Sequence, residues 1–255
     1  MDNGKPVPYW YDPDTDARTK IEPGSITDLS ILADLTGLRE LELICEPLES
    51  LDGIQNLGSL ESLQLEFCPN LTDGSAAFAL QDLWGLHFNR CPIESIQGVQ
   101  NLPRLKFLNI AGSQVTDLSP LQECDFTDAY NDRGFHIWLS DIPAEDFSPL
   151  SSFQRLESLD LNDRDSALWV PALENTEVYG FWGADVFHDN ESFAAFVAAH
   201  PELEQLNIPW NEAVTDLSPV LSLDHLQHLR VSENMQAALE PVMAANPGFE
   251  IEIQN

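Results

Sequence analysis

A six-residue pattern of apolar side chains, L-x-x-L-x-L, returns along this 255-residue chain, mostly at intervals of 22 or 23 positions. It runs through Leu38/Leu41/Leu43, Leu60/Leu63/Leu65, Leu83/Leu86/Phe88, Leu105/Leu108/Ile110, Leu156/Leu159/Leu161, Leu203/Leu206/Ile208 and Leu226/Leu229/Val231. A period in the twenties is the mark of a solenoid. A unit this short cannot bury its own apolar side, so successive coils must stack into one continuous core in which each touches only its neighbours. Because the repeats fill most of the chain, one elongated domain is expected rather than two.

Strand side chains alternate between faces, so the second leucine and the residue two after it point inward and the residue between them points outward. That outward column reads Glu42, Gln64, His87, Asn109, Trp138, Asp160, Trp182, Asn207 and Arg230. Trp138 and Trp182 come from two less regular repeats, Gly134/Ile137/Leu139 and Val178/Phe181/Gly183, placed by aligning residues 146–150 with 117–121 and by the spacing to Leu203. Other strand slots expected to face outward hold Phe67, Trp84, Phe107, Phe135, His136, Tyr179 and Trp210. Four of the six tryptophans thus fall where water should reach them. Large aromatics gathered on a surface mark a partner site. Trp84, Trp138, Trp182 and Trp210 are the expected anchors, with Phe67, His87, Phe107, Phe135, His136, Tyr179 and Arg230 around them. The competing expectation is that loops cover the rings, or that a one-residue slip in the irregular middle turns them inward.

Eleven Lys and Arg stand against 43 Asp and Glu, a formal net charge of −32. Such a field repels phosphate backbones, so nucleic acid is not an expected partner. It would speed encounter with a basic protein. Solubility or adaptation to a salty interior explains the same balance, and lysine is scarce, at Lys5, Lys20 and Lys106 only. Cys45, Cys68, Cys91 and Cys124 make no C-x-x-C pair; Cys68 and Cys91 hold the ninth position of their repeats, where buried and inert thiols are expected. No basic stretch followed by an apolar run opens the chain and nowhere do eighteen apolar residues run together, which points to a soluble, cytoplasmic protein with no membrane partner.

Residues 1–37 read as an amino-terminal cap and first partial repeat, with Tyr9, Trp10 and Tyr11 as a lid on the open core. Residues 38–248 read as the repeats, irregular over 122–134, and 249–255 as a closing edge strand. The segment 123–133 reads as a polar loop at the rim, and 74–81, 191–199 and 234–245 as short helices with Asp189, Asn190 and Ser232 as candidate caps. Residues 46–60 and 91–105 repeat each other nearly in full.

The coil Leu83-x-x-Leu86-x-Phe88-x-x-Cys91-x-Ile93-x-x-Ile96-x-x-Val99-x-x-Leu102 resembles the 22-residue leucine-rich repeat. Its Thr-Asp-Leu-Ser-Pro returns at residues 116–120 and 215–219 are similar to those of bacterial internalins. The resemblance covers roughly residues 26–255 and implies an α/β solenoid: a horseshoe with a parallel concave β-sheet and a convex side of short helices, 3-10 turns and loops. It also implies a protein-binding concave face.

Chemistry of other kinds finds little support. Asp12, Asp14 and Asp16 begin like a calcium loop, but Ala17 stands where that loop needs Gly and Pro23 where it needs a bidentate Glu. His225 and His228 lie three apart, which on a strand separates them. There is no H-E-x-x-H, G-x-S-x-G or phosphate loop. The expected function is a non-enzymatic, monomeric protein-interaction module without cofactor or metal, in its sharpest form an inhibitor or immunity protein for a basic toxin. The alternative is an internalin-like surface adhesin that has lost its export signal.

Overall fold

The computed structural model describes residues 9–12, 17–20, 24–162 and 164–254. β1 (Tyr9–Asp12) and β2 (Ala17–Lys20) pair antiparallel as a two-stranded ribbon. The side chains of Tyr9, Trp10, Tyr11 and Asp12, and all of Asp14 and Asp16, lie outside the described residues, and with them the expected lid and calcium loop.

The remaining strands form one parallel sheet of 11, stacked in chain order. They are β3 (Glu40–Ile44), β4 (Ser62–Glu66), β5 (Gly85–Asn89), β6 (Phe107–Asn109), β7 (Phe135–Trp138), β8 (Arg155–Asp160), β9 (Glu177–Val178), β10 (Gly180–Trp182), β11 (Gln205–Ile208), β12 (His228–Ser232) and β13 (Glu250–Gln254). β9 and β10 are one rung interrupted at Tyr179, both lying beside β8. An unbroken row of apolar residues crosses the sheet in register: Leu41, Leu63, Leu86, Leu108, Ile137, Leu159, Phe181, Leu206, Leu229 and Ile251. Those from Leu63 to Leu229 are buried. At roughly 1.5–3 kcal/mol for each buried side chain of this size, the row is a principal source of stability. Both irregular repeats hold the expected register at Ile137 and Phe181.

Parallel sheets are ordinarily covered on both faces because their crossovers run over both. Here every crossover returns on one side, so the other face stays open. The chain leaves β3 to β7 and β10 through a left-handed residue, with φ of 60° at Cys45, 53° at Phe67 and Arg90, 71° at Gly112, 60° at Asp141 and 51° at Asp185. The amides of Cys45, Phe67, Arg90, Gly112 and Asp185 donate to the next rung, as from Phe67 to the Asn89 carbonyl at 2.9 Å and from Arg90 to that of Ala111 at 2.7 Å. Cys68 and Cys91 then turn inward, fully buried, and the Cys91 thiol lies 3.3 Å from the Leu65 carbonyl. On the return path the carboxylates of Asp28, Asp73, Asp117, Asp146 and Asp216 each accept the amide two residues on at 2.8 Å, opening a 3-10 turn. A short polar side chain that bonds its own backbone is a turn former.

The structure corrects five expectations. Phe135 is not outward but fully buried: a bulge between Phe135 and His136 lets it fill the leucine slot that Gly134 leaves empty. The segment 123–133 is not simply a polar loop, because α1 (Thr127–Tyr130) docks through Phe126, whose ring lies 4.7 Å from Phe135 and 4.5 Å from Phe153. Residues 75–79 form a 3-10 segment rather than an α-helix, and the segment expected to be a helix from 234 begins as a 3-10 turn at Glu233–Met235 before α4 (Gln236–Ala245). Between these, α2 (Ser166–Trp169) and α3 (Asn190–Ala199) line the convex side; Asp189 caps α3 through the Ser192 amide at 2.7 Å, whereas Ser232 makes no side-chain cap. Trp169 is fully buried there, stacked 5.2 Å from Phe181.

Candidate protein-binding face

Along the open face the central outward row runs Glu42, Gln64, His87, Asn109, Trp138, Asp160, Trp182, Asn207, Arg230 and Glu252, each beside the next. A second outward row, two residues earlier, begins Glu40, Ser62, Gly85, Phe107, His136 and Ser158. Where these rows cross β5, β6 and β7, four rings meet. His87 stacks on Phe107 at 4.4 Å and 13°, and Phe107 on His136 at 5.3 Å and 19°. Trp138 meets Phe107 edge-on at 4.9 Å and is 37% exposed. Asn109, beneath these rings, is only 1% exposed and turns its Oδ1 to the Ala111 amide.

Burial pushes the His87 imidazole down to about 4, so it is neutral at physiological pH. Burial also lowers His136, with Asp132 opposing the shift and Arg133 adding to it. The His136 Nδ1 lies 2.8 Å from the Ser158 hydroxyl, which orients the ring. The patch is therefore apolar and aromatic at neutral pH.

Further along the row, Trp182 lies over its own strand: a Cβ added to Gly180 would fall 2.6 Å from the Trp182 Cζ3. Asp160, between Trp138 and Trp182, is half-buried; the Ser140 hydroxyl donates to its Oδ1, and burial raises the carboxyl above its ordinary value. Beyond Trp182 a recess of about 260 Å³ is lined by Asn207, His228, Arg230, Glu250 and Glu252. Arg230 pairs with Glu252 at 2.7 Å and His228 lies 3.3 Å from Glu250.

The other expected site residues are outward yet apart from the four-ring cluster. Trp84, 40% exposed, precedes β5, and its carbonyl accepts the amides of Lys106 and Phe107. Trp210, 37% exposed, lies past the end of β11. Phe67 packs under Arg90 at 5.8 Å and Tyr179 under Arg133 at 5.9 Å. Charged pairs flank the sheet: Arg39 with Glu61, Lys106 with Asp132, and Arg133 with both Glu157 and Glu204. Arg39, Arg90, Arg104, Lys106, Arg133, Arg155 and Arg230 each lie within 4.0 Å of a carboxylate. The surplus acid is thus what this molecule shows a partner. Sequence reasoning placed Asp160 and Asn109 in the outward column but assigned them no part in the site; the alternation Trp138, Asp160, Trp182 was the signal.

Among the described residues no three or more His, Cys, Asp or Glu side chains group as metal ligands, and no helix is long and apolar enough to cross a membrane.

An open parallel sheet on one side, 3-10 turns and short helices on the other, and a coil of 22 or 23 residues together define a leucine-rich-repeat solenoid. Its fold is that of the internalins. The chain is similar to an internalin (inlF) from Listeria monocytogenes, at 22% identity and a TM-score of 0.61 over 91% of this chain and 67% of that one. It is also similar to an internalin C2 (inlC2) of the same organism, at 19% identity and a TM-score of 0.52 over 90% of this chain and 77% of that one. No family model and no curated protein matches the sequence.

Proposed function

We propose that this chain is a non-enzymatic interaction module that grips a basic partner protein against its concave sheet, with an inhibitor or immunity protein for a basic toxin as the specific form. The observation that carries this reading is the cluster of His87, Phe107, His136 and Trp138, a contiguous aromatic surface on the sheet face opposite the helices and 3-10 turns. Aromatic anchors of this kind dominate interface energetics. The net charge of −32 supports a cationic partner, since such a field raises association rates and suppresses acidic competitors.

A photo-crosslinking side chain installed at position 138, on the concave face, is compared with one at the exposed Leu168 on the convex side. A partner captured from 138 alone, and lost when Phe107→Ala is added, supports the reading. Capture from 168 alone overturns it. Binding that is indifferent to salt removes the basic partner and leaves the concave site.

A further inference from the structure

We propose that Trp138, Asp160 and Trp182 form a receptor for one arginine side chain of the partner, an inference that rests on the concave face being the docking surface. The three residues occupy neighbouring rungs of the central row, with Asp160 in register with each indole. Neither ring is spent on the other. Trp138 leans toward Phe107, 4.9 Å away, while Trp182 lies back over Gly180. The two tryptophans thus stand on the strands either side of the carboxylate, with neither indole folded across it toward the other.

That carboxylate is unusual among its neighbours. Glu157, Glu204 and Glu252 each hold an arginine, whereas among the described residues no cation lies within 4.0 Å of Asp160. Ser140 bonds it through both its hydroxyl and its backbone, and nearby Asp141 makes its charge costlier still. A half-buried carboxylate without a counter-ion gains most when a partner supplies one, because burial has already removed much of its solvent. The flanking indoles select the cation. A guanidinium is planar, weakly hydrated and able to stack on an indole while donating in a fork to a carboxylate. A lysine ammonium is a strongly hydrated point charge and leaves the stacking unused.

The test uses the full chain with octa-arginine and octa-lysine peptides at physiological salt, read by calorimetry, with melting temperature followed for every variant. Asp160→Asn keeps an oxygen for Ser140 and is expected to weaken octa-arginine at least tenfold. Glu145→Gln removes the same charge from an exposed loop position and is expected to change it less than twofold. Trp182→Leu is expected to erase the preference for arginine over lysine, and it decides the matter if Asp160→Asn fails to fold. Equal losses from the Asp160 and Glu145 variants, or equal binding of the two peptides by the unmodified chain, overturn the proposal. With the crosslinking side chain at position 138, if Phe107→Ala abolishes capture of the partner while Asp160→Asn leaves it intact, the arginine receptor falls and the docking face stands; if neither variant affects capture, both fall.

Discussion

The imidazole of His87 and the ring of Phe107 lie 4.4 Å apart and 13° from parallel, on adjacent rungs of the open sheet face. The stack is compatible with a neutral His87, and burial holds it neutral down to about pH 4. In the unfolded chain a histidine takes its proton near 6.5, so between these values the unfolded state binds more protons and stability falls as pH falls. His87→Phe keeps a flat ring and removes the titration. The drop in unfolding free energy between pH 7.5 and pH 5 is expected to be about 1–2 kcal/mol smaller in the variant, after allowing for solvent reaching part of the ring. Denaturant titrations at the two pH values check this, and equal drops would contradict it.

Phe135 and Trp138 share a strand but face opposite ways, one fully buried and the other 37% exposed. Phe135→Ala opens a cavity between Phe126 and Phe153 and is expected to cost about 3–5 kcal/mol. Trp138→Ala is expected to cost less than about 1 kcal/mol, as for a surface substitution. A large loss from Trp138→Ala in chemical denaturation would mean that its indole is part of the core.

Gly180 makes room for Trp182. A methyl group there would meet the ring at 2.6 Å and the Glu157 carbonyl at 2.9 Å, so both the indole and the adjoining rung must move. Gly180→Ala is expected to destabilise by about 1–3 kcal/mol, the range for overpacking. It should also shift the tryptophan emission spectrum, and an unchanged spectrum would place the ring elsewhere.

The turn-forming aspartates on the convex side respond to acid. In Asp117 and Asp146 the hydrogen bonds from Ser119 and Ser148 hold the carboxyl below its ordinary value. A depressed carboxylate contributes stability above its unfolded value, about 3.9, and loses it as pH falls through the lower folded value. The double variant Asp117→Asn/Asp146→Asn is expected to melt below the unmodified protein at pH 7, with the gap narrowing as pH approaches about 3. A gap that widens in acid would refute this assignment.

The apolar spacing made the rungs and most of the face legible, because a strand's two-residue alternation admits only one phase once Leu86, Leu108 and Leu159 are inside. Phe135 escaped because a bulge breaks that alternation: Gly134 cannot fill a leucine slot, and Phe135 slides into it. The insertion at 123–133 looked polar because its buried anchors, Phe126 and Ala129, are outnumbered by charged and polar neighbours. On the face itself, exposure was readable for Trp84, Trp138 and Trp210, but not which rings meet. Ring contacts depend on side-chain lean, and it is lean that joins Trp138 to Phe107 while Trp84, ahead of its strand, stays apart.

Because the central outward row stays in register across every rung, the face can be edited in whole coils. Excising the stretch from Leu139 through Asp160 would set Trp138 and Trp182 on adjacent strands with both still facing outward. Duplicating that stretch would space them one rung further, roughly 4.8 Å more. A lineage carrying such a chain can thus retune the distance between two anchors by unequal recombination alone, leaving the chemistry of each anchor as it was.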